Sequence, residues 1–155
     1  MNFTLILRKE LLMLIPIHCS DRSYPNKEPK QTEIYIEPEN IVSVENILSP
    51  DGKPSGLIHI WTTSTASPAI VTEIAIGKIA SIIENFYSRI IKEQCPFMYI
   101  TSNIYLNVKH VSHIRDYGSK AFIHLHGSSA IRIDNASASI TAERINRVLD
   151  LLRGE

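Results

Sequence analysis

The chain has 155 residues, room for one domain or two very small ones sharing a core, and at that size apolar burial alone can hold a fold without metal or disulfide. Lysine plus arginine equals aspartate plus glutamate at 16 each, so the formal net charge is zero. Such a chain lacks the basic excess of a non-specific nucleic-acid or membrane-surface binder, and its neutrality permits self-association.

The first 17 residues are apolar, but Arg8-Lys9-Glu10 cut through the middle. Neither flank approaches the ~20 apolar residues that cross a bilayer. The charge is central rather than leading, and Pro16-Ile17-His18-Cys19 is a poor cleavage site. A cytoplasmic protein without membrane insertion is expected, with residues 1–12 as an N-terminal extension and Met13 opening the folded unit.

Residues 14–17 read as a short strand. The polar stretch 18–32, with Pro25 and Pro29, has no periodicity and reads as a loop. Strands follow at 33–37 and 41–44, separated by Pro38. Ser49-Pro50-Asp51-Gly52-Lys53-Pro54 is dense in turn formers. Strands at 57–61 and 69–72 flank a loop at 62–68. Then the period changes: Ile76, Ile79, Ile83, Phe86 and Ile90 recur at spacings of 3, 4, 3 and 4, the apolar face of a helix. It should stop near 92–94, because Pro96 disfavours helical geometry just before it.

Beyond that point strands are expected at 97–101, 104–107, 111–115, 121–126 and 130–133, with turns at Tyr117-Gly118-Ser119 and Gly127-Ser128. A last helix should begin near Ser139 or Thr141, bury Ile145, Val148, Leu149 and Leu152, and end at Gly154.

The second series echoes the first. Ile34-Tyr35-Ile36 returns as Ile104-Tyr105-Leu106, 70 positions on; Leu57-Ile58-His59-Ile60 returns as Phe122-Ile123-His124-Leu125, 65 positions on. The expected fold is therefore α+β: two tandem repeats, 13–94 and 95–155, each an antiparallel β-meander followed by one amphipathic helix, packed as a pseudo-dimer. Alternation puts Ile58, Ile60, Ile123 and Leu125 under the helices. Leu57, His59 and Trp61 in one copy, and Phe122, His124 and His126 in the other, then share the opposite face. A solvated face would be more polar, so something should cover it.

Little here points to a reaction. His124-x-His126, with His110 and His113 a strand away, could interest zinc, yet no Cys or Glu completes a ligand set. Cys19 and Cys95 lack CxxC spacing and read as free thiols in a reducing compartment. No Gly-x-Ser-x-Gly and no glycine-rich phosphate loop is present. No metal or cofactor is expected. Lys109, Arg115, Lys120 and Arg132 gather in the second half and could meet a small anion such as a nucleotide.

Two resemblances accompany these readings. Met98-Tyr99-Ile100, Tyr105-Leu106-Asn107, Ile123-His124-Leu125-His126-Gly127 and Ile131-Arg132-Ile133 follow the pattern of the small FlbD/SwrD family of flagellar and swarming-motility proteins. Asp116-Tyr117-Gly118-Ser119 replaces that family's Pro-Asp-Thr turn, and the first half is similar with longer loops. This resemblance implies a non-enzymatic accessory protein. Residues 97–111 also resemble the LytTR DNA-binding domain, whose Val-Asn-Leu core corresponds to Leu106-Asn107-Val108. Tyr99, Thr101 and Ser102 stand where that family has Arg, His and Arg, residues that serve DNA contact, so no DNA-contacting residue carries over.

The leading expectation is a non-enzymatic, homo-oligomeric binding module that meets a protein partner or a small anionic ligand through His59, Trp61, Lys109, Arg115, Lys120, Phe122, His124, His126 and Arg132. Nucleic acid is disfavoured as a partner on charge. The alternatives are a LytTR-like DNA-binding regulator and a His-dependent hydrolase.

Overall fold

A computed structural model describes residues 14–21, 30–64, 69–126, 130–134 and 137–154. The expected N-terminal extension and the turn at Gly127-Ser128 lie outside the described residues. The chain is α+β, and every strand pairing among the described residues is antiparallel.

The elements run β1 (Ile15–Asp21), β2 (Lys30–Ile36), a 3-10 turn (Pro38–Asn40), β3 (Ile41–Leu48), β4 (Pro54–Thr62), β5 (Ala69–Thr72) and helix α1 (Ile76–Asn85), which continues as a π-helical turn (Phe86–Ile91). Then come β6 (Phe97–Thr101), β7 (Ile104–Asn107), a second 3-10 turn (Val108–His110), β8 (Val111–Asp116), β9 (Lys120–Leu125), β10 (Ala130–Asp134) and helix α2 (Ala138–Leu152). They form three sheets: β1-β2, a five-stranded sheet in the order β5-β4-β3-β7-β6, and β10-β9-β8. The five-stranded sheet takes strands from both sides of residue 95, because β3 pairs with β7 through Ser43↔Leu106, Val44↔Tyr105 and Glu45↔Ile104.

Two cores follow from that sheet. On one face Val44, Ile58, Ile60, Phe97 and Tyr105 pack with Ile15, Ile17 and Ile36 of the two-stranded sheet and with Ile79, Ile83 and Phe86 of the first helix. The second core joins Val42, Ile100 and Leu106 to Ile123, Leu125, Ile131 and Ile133 of the three-stranded sheet and to Ile145 of α2. Each of these fully buried aliphatics contributes roughly 1.5–3 kcal/mol.

Several expectations change in detail. The stretch expected as a loop from 18 pairs instead, with β1 reaching Asp21 and β2 starting at Lys30. Backbone pairing in a hairpin does not require apolar side chains, so polarity hid the strand ends. β3 runs on to Leu48 because β4 pairs with it through Asn46↔Ile58 and Leu48↔Pro54, past the point where β7 stops at Glu45. Ser137 caps α2, its side chain accepting from the Ile140 N–H, two residues before Ser139 and four before Thr141, the two expected caps.

The first helix differs more. Ile90, placed on the apolar face by its spacing, is 56% exposed, whereas Ile91 is 7% exposed. The π turn inserts one residue into the helical count, so the buried stripe passes to Tyr87 and Ile91. Lys92 then ends the helix in the left-handed region at φ 54°.

The junction between the halves is tied by polar bonds as well. Asn107 is wholly buried. Its Nδ2 donates to the Ile41 carbonyl (3.1 Å) and its Oδ1 accepts from the Lys109 N–H (3.1 Å). His110 Nε2 donates to the Glu39 carbonyl (2.8 Å), bringing the two 3-10 turns together.

Two outcomes follow. Ile91→Ala should lower stability by about 2–4 kcal/mol, and Ile90→Ala by less than about 0.5 kcal/mol, in urea titrations with unchanged m. Equal losses would mean that the helix has no π turn in solution. Asn107→Ala should cost about 1–3 kcal/mol per stranded buried partner, read in the same way.

Candidate functional site

The three-stranded sheet has one face against the second core and one face outward. Ala121, Ile123 and Leu125 of β9 are buried, so Lys120, Phe122 and His124 point the other way. Register sets their neighbours: Phe122 lies between Arg115 of β8 and Arg132 of β10, and His124 lies between His113 and Ala130. Of the nine candidate residues, five therefore share this face: Arg115, Lys120, Phe122, His124 and Arg132.

The aromatic groups form a chain across it. The His113 and His124 rings stack at 4.4 Å and 5°. Tyr117 meets Phe122 edge-on at 5.5 Å, and Lys120 Nζ lies 6.0 Å from the Phe122 centroid. Arg132 Nε donates to Asp134 Oδ1 at 2.8 Å, a pair exposed enough to add little stability. Lost hydration holds the His124 imidazole below its ordinary range, with the charges of His113 and Arg115 acting the same way. Its Nε2 is covered and has no hydrogen-bond partner among the described residues. His113, absent from the candidate set, was legible through its strand parity with Arg115.

Lys109 sits apart in the second 3-10 turn, exposed. His126 is exposed just past β9, where its N–H donates to the His110 carbonyl (2.7 Å). His59 and Trp61 lie elsewhere again, on the five-stranded sheet, with ring centroids 5.2 Å apart. Trp61 packs against the second core, so the chain itself partly covers that side. Next to them, Glu45 pairs with His59 and Ser43 pairs with Trp61 across β3 and β4. The Ser43 hydroxyl donates to Glu45 Oε2 at 3.1 Å. Burial pushes the Glu45 carboxyl above its usual range; the Ser43 hydroxyl, the nearby His59 and the Trp61 side chain pull it down by less. Glu45 went unread because the apolar run was taken to stop at Val44.

Other polar groups are structural. Burial raises the Cys95 thiol, leaving it protonated near neutrality, and its Sγ lies 3.8 Å from the Tyr105 hydroxyl. That hydroxyl donates to Glu84 Oε1 at 3.2 Å. Among the described residues no group of three or more His, Cys, Asp or Glu could hold a metal ion, and no helix is long and apolar enough to cross a membrane.

No family model and no curated relative matches the sequence. In fold the chain is similar to a LytTR DNA-binding domain from Bacillus cereus, with a TM-score of 0.51 and 8% identity, over 86% of this chain and 95% of that one. The resemblance to the FlbD/SwrD family finds no support. The likeness also corrects an expectation: zero net charge argued against nucleic acid as a partner, yet the fold is one that a DNA-binding domain uses. Net charge sums the whole chain and is blind to placement, and Arg115, Lys120 and Arg132 lie together on one sheet face.

The raised Glu45 carboxyl gives a stability signature. Between the usual carboxylate value of 4.5 and its higher folded value, the folded chain keeps a proton that the unfolded chain has lost. Stability should therefore fall as pH rises through that window and stay lower above it. Glu45→Gln should remove that decline, which urea midpoints measured from pH 4 to pH 8 would show.

Proposed function

We propose that this chain is a LytTR-like DNA-binding module that meets duplex DNA through the outer face of the β10-β9-β8 sheet. The observation that carries the reading is the fold likeness to a DNA-binding domain over 95% of that domain's length. The residues this family uses around its Val-Asn-Leu core are replaced here by Tyr99, Thr101 and Ser102. Contacts would come from Arg115, Lys120 and Arg132, which suit phosphates, with Phe122 and the His113–His124 stack offering flat rings among them.

The order of elements supports a doubled unit within this reading. Two strands, a 3-10 turn, three strands and a helix run from Ile15 to Ile91, and the same sequence of elements runs from Phe97 to Leu152. An experimental structure in which these stretches fail to overlay strand for strand would reject the doubling.

Binding should be salt-dependent. If the three cations each neutralise a phosphate, the slope of log K against log salt should be near −3, about −0.9 per contact. Arg115→Ala with Lys120→Ala should flatten it by roughly 2 and weaken binding to all sequences alike. Fluorescence anisotropy on a mixed duplex pool at low salt tests this; no binding there would overturn the proposal.

A further inference from the structure

A cavity of about 260 Å³ opens between the five-stranded and three-stranded sheets. Ser43, Glu45, His59 and Trp61 line one wall, and Leu125 and Ile131 line the other. We infer that this cleft is a binding site for a small organic cation, an alkylammonium or guanidinium group held between the Glu45 carboxylate and the Trp61 ring.

The chemistry of the wall points that way. Glu45 is half-buried, and its side-chain partners are a hydroxyl, Trp61 and the neighbouring His59. No lysine or arginine lines the cavity, and none pairs with Glu45 among the described residues. A carboxylate removed from water without a matching cation is costly, and a cationic ligand relieves that cost. Tryptophan is the strongest aromatic partner for a cation, and it stands beside the carboxylate here. The opposite wall is aliphatic, which suits the carbon skeleton of an amine rather than a hydrated metal ion. An anion would meet Glu45 at once and be repelled, so the site is distinct in chemistry from the basic outer face.

Trp61 is the sole tryptophan of the chain, so its emission reports on this cleft alone. The full chain would be titrated with choline, with agmatine, with the uncharged choline isostere 3,3-dimethyl-1-butanol, and with a short arginine-containing peptide. The expected result is a saturable change in emission with choline or agmatine, at least tenfold weaker with the neutral isostere. Glu45→Gln should weaken the cation response at least tenfold while keeping the circular dichroism spectrum of the parent. Trp61→Phe, followed by calorimetry, should bind more weakly than the parent but not lose its fold. A response to the peptide alone would support the same recognition and assign the cation to a protein side chain. No saturable response to any cation, an equal response to the neutral isostere, or binding indifferent to Glu45→Gln would overturn the inference. DNA binding by the Glu45→Gln variant should be unchanged, so failure here and failure of the DNA-binding reading are separable.

Discussion

The fold depends on the antiparallel pairing of β3 with β7. Without it the strands would form two small meanders, each with an open edge and too little apolar surface to close over. With it, β5-β4-β3 and β7-β6 become one sheet with a core on each side. The first half of β3 records this position: Ile41, Val42, Ser43 and Val44 are all buried, the continuous pattern of a strand covered on both faces. A register irregularity between Ile41 and Ser43 breaks the alternation, so Ile41 and Val44, three residues apart, share the first core while Val42 enters the second. Asn107 then closes the junction from within, its buried amide supplying the Ile41 carbonyl with a hydrogen-bond donor.

This junction was hardest to see in the chain itself. Hydrophobic period and turn chemistry are local, and where they governed the outcome they were legible: the turn at 49–54, the strands at 69–72, 97–101 and 104–107, and the buried Ile145 face of α2. Which strand sits beside which is decided over tens of residues and leaves no period. A run such as Ile41–Val44 announces burial without naming the partner. The π turn escaped for a related reason. Ile90 and Ile91 are chemically equal, so only the packing of Tyr87 and Ile91 into the first core selects between them.

Candidate residues were legible by type and not by grouping. Strand parity correctly joined Phe122 with His124, and cross-strand register added Arg115 and Arg132. The same parity placed His59 and Trp61 on the face away from Ile58 and Ile60, and that too holds. Positions that look alike in sequence nevertheless differ in environment. The face bearing His59 and Trp61 belongs to the central sheet and looks onto the second core, whereas the face bearing Phe122 and His124 belongs to an outer sheet. Similar short runs of sequence thus acquire different chemistry once one sheet becomes central.

The three-stranded sheet separates two surfaces of opposite character. Along β9 and β10, Phe122, His124 and Arg132 face outward, while Ile123 and Ile133 fill the second core and Leu125 and Ile131 also line the cleft. A one-residue slip in register would exchange the two sets and destroy both. The strong specification of register by Ile123, Ile131 and Ile133 in the core therefore fixes the outer cations as firmly as it fixes the interior. Arg115 projects from the outer face of this sheet, whereas Glu45 belongs to β3 of the five-stranded sheet, across the cleft from the inner face. Substitutions at Arg115 and at Glu45 should consequently act independently, unless the sheet itself shifts between two positions and couples them. Such coupling, measured by a double-mutant cycle, would identify the three-stranded sheet as the moving part.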